Sequence, residues 1–166
     1  LLDYDLVQQL CTYMSPVGQY IHVEITEESL LKDHDAINKA ITAFRAVGAS
    51  IYIDDFGSGY SSLGYLSLYD IDAIKIDCSF VLTLDNVKGR KVFHSLLGVA
   101  EELGLATVIE GVETAEQLDN IPHKPDVSVQ GWYYSKSLPY SQLSDYIRTR
   151  NQPHKIAYES VADTNG

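Results

Sequence analysis

Basic residues are scarce in this chain. Twelve Lys and Arg stand against 23 Asp and Glu, for a formal charge of −11. A polyanion is gripped through a basic patch, so DNA binding by this segment is excluded, whereas a phosphate ligand carried by metal ions is not. Cysteine is nearly absent. Cys11 and Cys78 are too few for a disulfide framework and too far apart for a CxxC metal knuckle, and both are expected to be buried, reduced thiols. The five histidines, at 22, 34, 94, 123 and 154, never fall at zinc-ligand spacing, so zinc is not expected. Long apolar runs are missing as well. Leu96-Leu97-Gly98-Val99-Ala100 falls far short of the roughly 20 residues that a membrane helix needs. The start, Leu1-Leu2-Asp3-Tyr4-Asp5, has no basic region of a signal peptide and no Met, and Met14 is the only one in the chain. That start reads as a point inside a longer protein.

What is present suits one packed core: 166 residues, 45% of them hydrophobic and 10% aromatic. Short β-branched runs predict strands over 20–25, 50–54, 73–77, 107–110 and 128–130. Longer segments between them carry apolar residues at helical spacing, as in Ile37, Ala40, Ile41 and Phe44, or Phe93, Leu96, Leu97 and Ala100. These predict helices over 5–14, 33–47, 92–103, 114–118 and 141–150, with Thr114 as an N-cap. Strands alternating with helices mean βαβ units, hence an α/β fold with a parallel sheet whose strands are buried apolar runs. The tail, 151–166, is polar and without periodicity, and is expected to fray.

The polar residues are not scattered. In order, the strands finish with Glu24, Asp54-Asp55, Lys75 and Asp77, Glu110, and Gln130. Each has an ordinary reading alone. Glu24 and Glu110 are plausible as solvated strand-end charges, Asp54 and Asp55 as turn formers before Gly57, Lys75 in a structural ion pair, and Gln130 as a backbone cap. Five successive strands that each end in such a residue point instead to a shared site, which is where β/α barrels build theirs. Carboxylates converging on one cavity repel one another, and divalent cations remove that conflict. A donor set of oxygens alone, without Cys or His, favours Mg²⁺ or Mn²⁺. Two adjacent Asp residues at one strand end suit a pair of ions, the arrangement used to clamp attacking and leaving oxygens in phosphoryl chemistry. The reaction class suggested is metal-assisted phosphodiester hydrolysis. Two other motifs fail. Asp55-Phe56-Gly57 matches the kinase DFG, but no HRD loop accompanies it, and Gly57-x-Gly59 lacks the third glycine of a dinucleotide fingerprint.

The same residues carry a resemblance. Val23-Glu24-Ile25-Thr26-Glu27, the block Ile53-Asp54-Asp55-Phe56-Gly57-Ser58-Gly59-Tyr60-Ser61-Ser62-Leu63, Ile74-Lys75-Ile76-Asp77, Ile109-Glu110-Gly111-Val112-Glu113-Thr114 and Val129-Gln130-Gly131-Trp132 follow one another in order. Together they resemble the EAL-domain phosphodiesterases, which hydrolyse the bacterial second messenger cyclic di-GMP. The resemblance implies a modified TIM (β/α)₈ barrel that opens cyclic di-GMP to linear pGpG with two Mg²⁺ or Mn²⁺ ions. It assigns Glu24, Asp54, Asp55 and Glu110 to the metals, with Glu110 also a base. It makes Lys75 the residue that orients the attacking water and Asp77 the residue that fixes Lys75. Gln130 and Glu113 would face the ligand, and Glu27 would pin the loop after Asp55.

Departures accompany it. Neither the Glu-Ala-Leu motif nor the Asn-x-Ser strand that follows it occurs in this sequence, and Ile109 stands where the family usually has Ala. Residues 1–150 therefore read as the C-terminal two-thirds of such a domain, a partial barrel lacking its N-terminal strands. By themselves the 166 residues are expected to be inactive. The alternative is a catalytically inactive cyclic di-GMP sensor or interaction module. An enolase-type barrel fits worse, because its one-metal site does not need adjacent Asp ligands. The resemblance further implies a cytoplasmic domain of a bacterial protein, open to membrane anchoring, with a sensory or GGDEF-type domain upstream and a homodimer as the complete assembly.

Overall fold

A computed structural model describes residues 3–58 and 63–150. They fall into two units, one reaching Tyr134 and one starting at Ser135. The first opens with helix α1 (Tyr4–Met14), capped by Asp3, and a 3₁₀ turn at Gly18–Tyr20. There follow β1 (His22–Thr26), the single-turn helix α2 (Glu27–Leu30), α3 (His34–Ala46) and β2 (Ser50–Phe56). A 3₁₀ turn at Leu63–Ser67 leads to β3 (Ala73–Ile76), the short α4 (Cys78–Val81), α5 (Val87–Glu102), β4 (Ala106–Ile109), α6 (Ala115–Asp119) and β5 (Val127–Val129). In the second unit α7 spans Tyr140–Arg150. The expected tail, 151–166, lies outside the described residues.

Caps explain where the helices begin. The Asp33 carboxylate accepts from the Ala36 N–H to start α3, and Asn86 Oδ1 accepts from the Gly89 N–H to start α5. Asn86 moves the start of α5 to Val87, five residues ahead of the position that its apolar stripe alone suggests. α6 carries a full capping box between Thr114 and Gln117.

The five strands form one parallel sheet in the order β1-β2-β3-β4-β5. Its two faces differ. Ile51, Ile53, Ile74, Ile76 and Ile109 are fully buried on the helix-covered face, in a core shared with Ile41, Phe44, Phe93 and Leu97. Register carries the polar set to the other face. Glu24 pairs with Tyr52, Tyr52 with Ala73, Lys75 with Val108 and Val108 with Ser128. With the strand period of two, Asp54, Glu110 and Gln130 then extend the same row.

Two expectations are corrected here. Within the described sheet the two outer strands, β1 and β5, carry no buried position, against the expectation of buried apolar runs. Of the two thiols only Cys11 is buried, whereas Cys78 is exposed, because it opens α4 just where the chain leaves β3 for the strand-end rim. Among the described residues no helix is long and apolar enough to cross a membrane.

Candidate active site

Lys75 occupies the middle of the polar row. Its side chain is only 8% exposed, and Nζ lies 2.8 Å from Asp54 Oδ1, 2.9 Å from Glu110 Oε1 and 3.0 Å from Glu24 Oε1. Three strands thus deliver three carboxylates to one ammonium. Burial by itself would push the Lys75 pKa down, but hydrogen bonds to Asp54, Glu110 and Glu24 win and hold it above the ordinary lysine value. With three carboxylates around it, the Lys75 ammonium is placed to donate hydrogen bonds and to offset negative charge.

Asp55 reaches the site by a local irregularity. Neighbouring side chains on a strand point to opposite faces, so Asp55 beside Asp54 ought to face the helices. The β2–β3 register shifts between Ile53 and Phe56, and Asp55 adopts φ 56, the left-handed region. This re-aims its carboxylate, and oxygens of Asp54, Asp55 and Glu110 all come within 4.8 Å of one another. The chain then turns at Gly57, φ 90, where a Cβ would strike the Phe80 ring. Glu27, 6% exposed, accepts the Gly57 N–H through Oε2 at 2.9 Å, and Ser58 donates to the Asp55 carbonyl.

The remaining candidates divide. Gln130 is exposed at the end of β5, with its backbone N–H on Ile109 O and its carbonyl accepting from the Val112 N–H. It stands at the rim. Glu113 is also exposed, its backbone N–H held by Gln117 Oε1, and its carboxylate is no part of the cluster. Asp77 does not reach Lys75. Its Oδ1 accepts from the Ser79 N–H at 2.9 Å and caps α4. Hydrogen bonds from Ser79 hold its carboxyl below the usual value against the opposing effect of burial. A carboxylate just past a strand and just before a short helix is a cap signal that was readable in the sequence.

The donor set fits hard divalent cations. Asp54, Asp55 and Glu110 offer carboxylate oxygens from two strand ends, no sulfur or imidazole is among them, and the Lys75 ammonium contacts Glu24, Asp54 and Glu110 but not Asp55. That excess of negative charge in a half-buried site is what a bound cation would relieve.

Residues 1–137 match the EAL domain family. The chain belongs to this family. The match holds although the Glu-Ala-Leu tripeptide is not in the sequence. Among curated EAL relatives, the cyclic di-GMP phosphodiesterase NbdA of Pseudomonas aeruginosa is 35% identical over 130 residues, covering 78% of this chain and 17% of NbdA. The chain thus spans about a sixth of that relative's length. Among solved structures, the EAL domain of Mycobacterium smegmatis DcpA superimposes with a TM-score of 0.81 at 29% identity, covering 90% of this chain and 69% of DcpA's. The manganese and cyclic di-GMP complex of Klebsiella pneumoniae BlrP1 gives a TM-score of 0.69 at 29% identity, covering 80% of this chain and 35% of BlrP1's. The fold is thus that of EAL barrels, of which the described sheet contributes five parallel strands.

Proposed function

We propose that this EAL segment belongs to a phosphodiesterase that hydrolyses cyclic di-GMP to linear pGpG with Mg²⁺ or Mn²⁺. The observation that carries the reading is the meeting of Asp54, Asp55 and Glu110 carboxylates beside the buried Lys75. The likeness to NbdA, named for that activity, supports it.

In this reading Asp54, Asp55 and Glu110 hold the ions, with Glu24 as a further oxygen donor across Lys75. The ions, when bound, supply Lewis-acid polarisation of the scissile phosphodiester and neutralise charge there. Glu110 accepts a proton from the attacking water. Lys75 donates a hydrogen bond that orients this water and offsets charge as the oxygen approaches phosphorus. One P–O3′ bond breaks, the 3′ oxygen takes up a proton, and the water oxygen stays on phosphorus as part of the new 5′-phosphate. Gln130 and Glu113 contact the nucleotide from the rim. The whole protein works as a homodimer joined to a sensory or GGDEF-type domain.

The test is mass spectrometry of nucleotide products from the full-length protein with Mg²⁺ or Mn²⁺. Linear pGpG is expected, and none with excess EDTA. Binding of cyclic di-GMP without any product would favour the inactive sensor instead.

A further inference from the structure

α2 is one turn long, and a single helical turn is unstable unless side chains fix it from outside. Its first residue, Glu27, holds the Gly57 N–H; its last, Leu30, is 3% exposed in the core. The carbonyls at the end of a helix have no partner within it. Those of Glu28 and Ser29 accept from the backbone N–H groups of Leu31 and Lys32, and that of Leu30 accepts from the Tyr69 hydroxyl at 3.1 Å. Tyr69 is itself 5% exposed and lies in the segment leading into β3.

The hydroxyl has a single hydrogen, which goes to Leu30 O. Its oxygen must then accept from His34 Nδ1, 2.9 Å away. His34 Nε2, with its lone pair free in that tautomer, accepts from Asn38 Nδ2 at 3.1 Å. Asn38 Nδ2, His34 Nδ1 and the Tyr69 hydroxyl each donate to the next member in one consistent arrangement. The tie thus has a direction, and His34 orients the phenol from the first turn of α3.

We propose that Tyr69, oriented by His34, is a positioning residue for the carboxylate cluster. It fixes the end of α2 so that Glu27, at the start of the same turn, keeps hold of Gly57. This hold keeps Asp55 in its left-handed conformation, with its carboxylate turned to Asp54 and Glu110. A left-handed conformation is unfavourable for a residue that carries a Cβ, and it persists only where its surroundings over-determine it. The β2 irregularity is one constraint and the Glu27 bond a second. Tyr69 supports the second by holding the end of the turn that carries Glu27. The inference rests on the metal-site reading of the cluster.

The experiment is a Mn²⁺ titration, by calorimetry, of the full-length protein and of its Tyr69→Phe, His34→Ala and doubly substituted variants, with the melting temperature of each measured alongside. Tyr69→Phe keeps the ring in the core and removes only the hydroxyl. His34→Ala changes an exposed position and carries the test if Tyr69→Phe does not fold. Each single variant is expected to bind Mn²⁺ about tenfold more weakly while folded, the loss typical of removing an outer hydrogen-bond partner of a metal site. The double variant should lose no more than Tyr69→Phe alone, because both substitutions act through one hydroxyl. A tie that serves stability alone would lower the melting temperature and leave the Mn²⁺ affinity of the folded protein unchanged, and that result would overturn the proposal. Failure of the unsubstituted protein to bind Mn²⁺ would overturn the metal-site reading itself and this inference with it.

Discussion

Lys75→Ala and Glu110→Gln in the full-length protein are each expected to slow hydrolysis of cyclic di-GMP by about 10²-fold or more, with a far smaller change in nucleotide affinity. The magnitude is that of removing a group that moves or steers a proton in the transition state. Lys75 is paired with Asp54, Glu110 and Glu24, so its contribution is donation and charge, while the proposed mechanism gives the proton of the water to Glu110. Interactions made only in the transition state appear in kcat and spare binding. The two variants differ in one respect. Glu110→Gln keeps an oxygen for Lys75, whereas Lys75→Ala leaves Glu24, Asp54 and Glu110 facing one another without their cation, and should raise the requirement for divalent metal. Steady-state kinetics over a range of Mn²⁺ concentrations separates these effects. Loss of affinity with kcat unchanged would move both residues from catalysis to binding.

Removing divalent metal is expected to weaken cyclic di-GMP binding by about two orders of magnitude. The ligand brings two anionic phosphodiesters to a site where three carboxylates share one ammonium and a fourth, Asp55, stands beside two of them. Two unit charges 4 Å apart at an effective dielectric of 20 interact by about 4 kcal/mol, and about 1.4 kcal/mol is a factor of ten, so the uncompensated repulsion is ample. Isothermal titration with Mn²⁺ and with EDTA makes the comparison. Equal affinity in both would mean that protein donors alone bind the phosphates.

Much of this was legible in the sequence, because parallel strands announce themselves twice, by apolar runs and by what ends them. All five strands fall where β-branched residues cluster, and Glu24, Lys75 and Asp54 meet because register aligns the rows to which they belong. The start of α5 was less visible, since its first turns carry Lys88, Gly89 and Arg90, and only the Asn86 cap marks the boundary. Asp55 was visible as a candidate but not by its means of arrival. A register shift and a left-handed φ depend on what surrounds a strand, and no residue pattern in 53–56 encodes them alone. Asp77 was assigned to Lys75 by the family resemblance, yet its carboxylate, next to a helix start, accepts the Ser79 backbone N–H. The link from Tyr69 to His34 and Leu30 joins residues 35 and 39 positions apart, and nothing local to either end signals it.

In the proposed reaction Asp54, Asp55 and Glu110 hold the divalent cations at the ends of β2 and β4. Anomalous diffraction at the manganese edge, from crystals of the protein grown with Mn²⁺ and cyclic di-GMP, measures this most directly. Peaks in contact with carboxylate oxygens of Asp54, Asp55 and Glu110 are the result expected. Manganese bound elsewhere, with these three carboxylates uncoordinated while the nucleotide is in place, would contradict it.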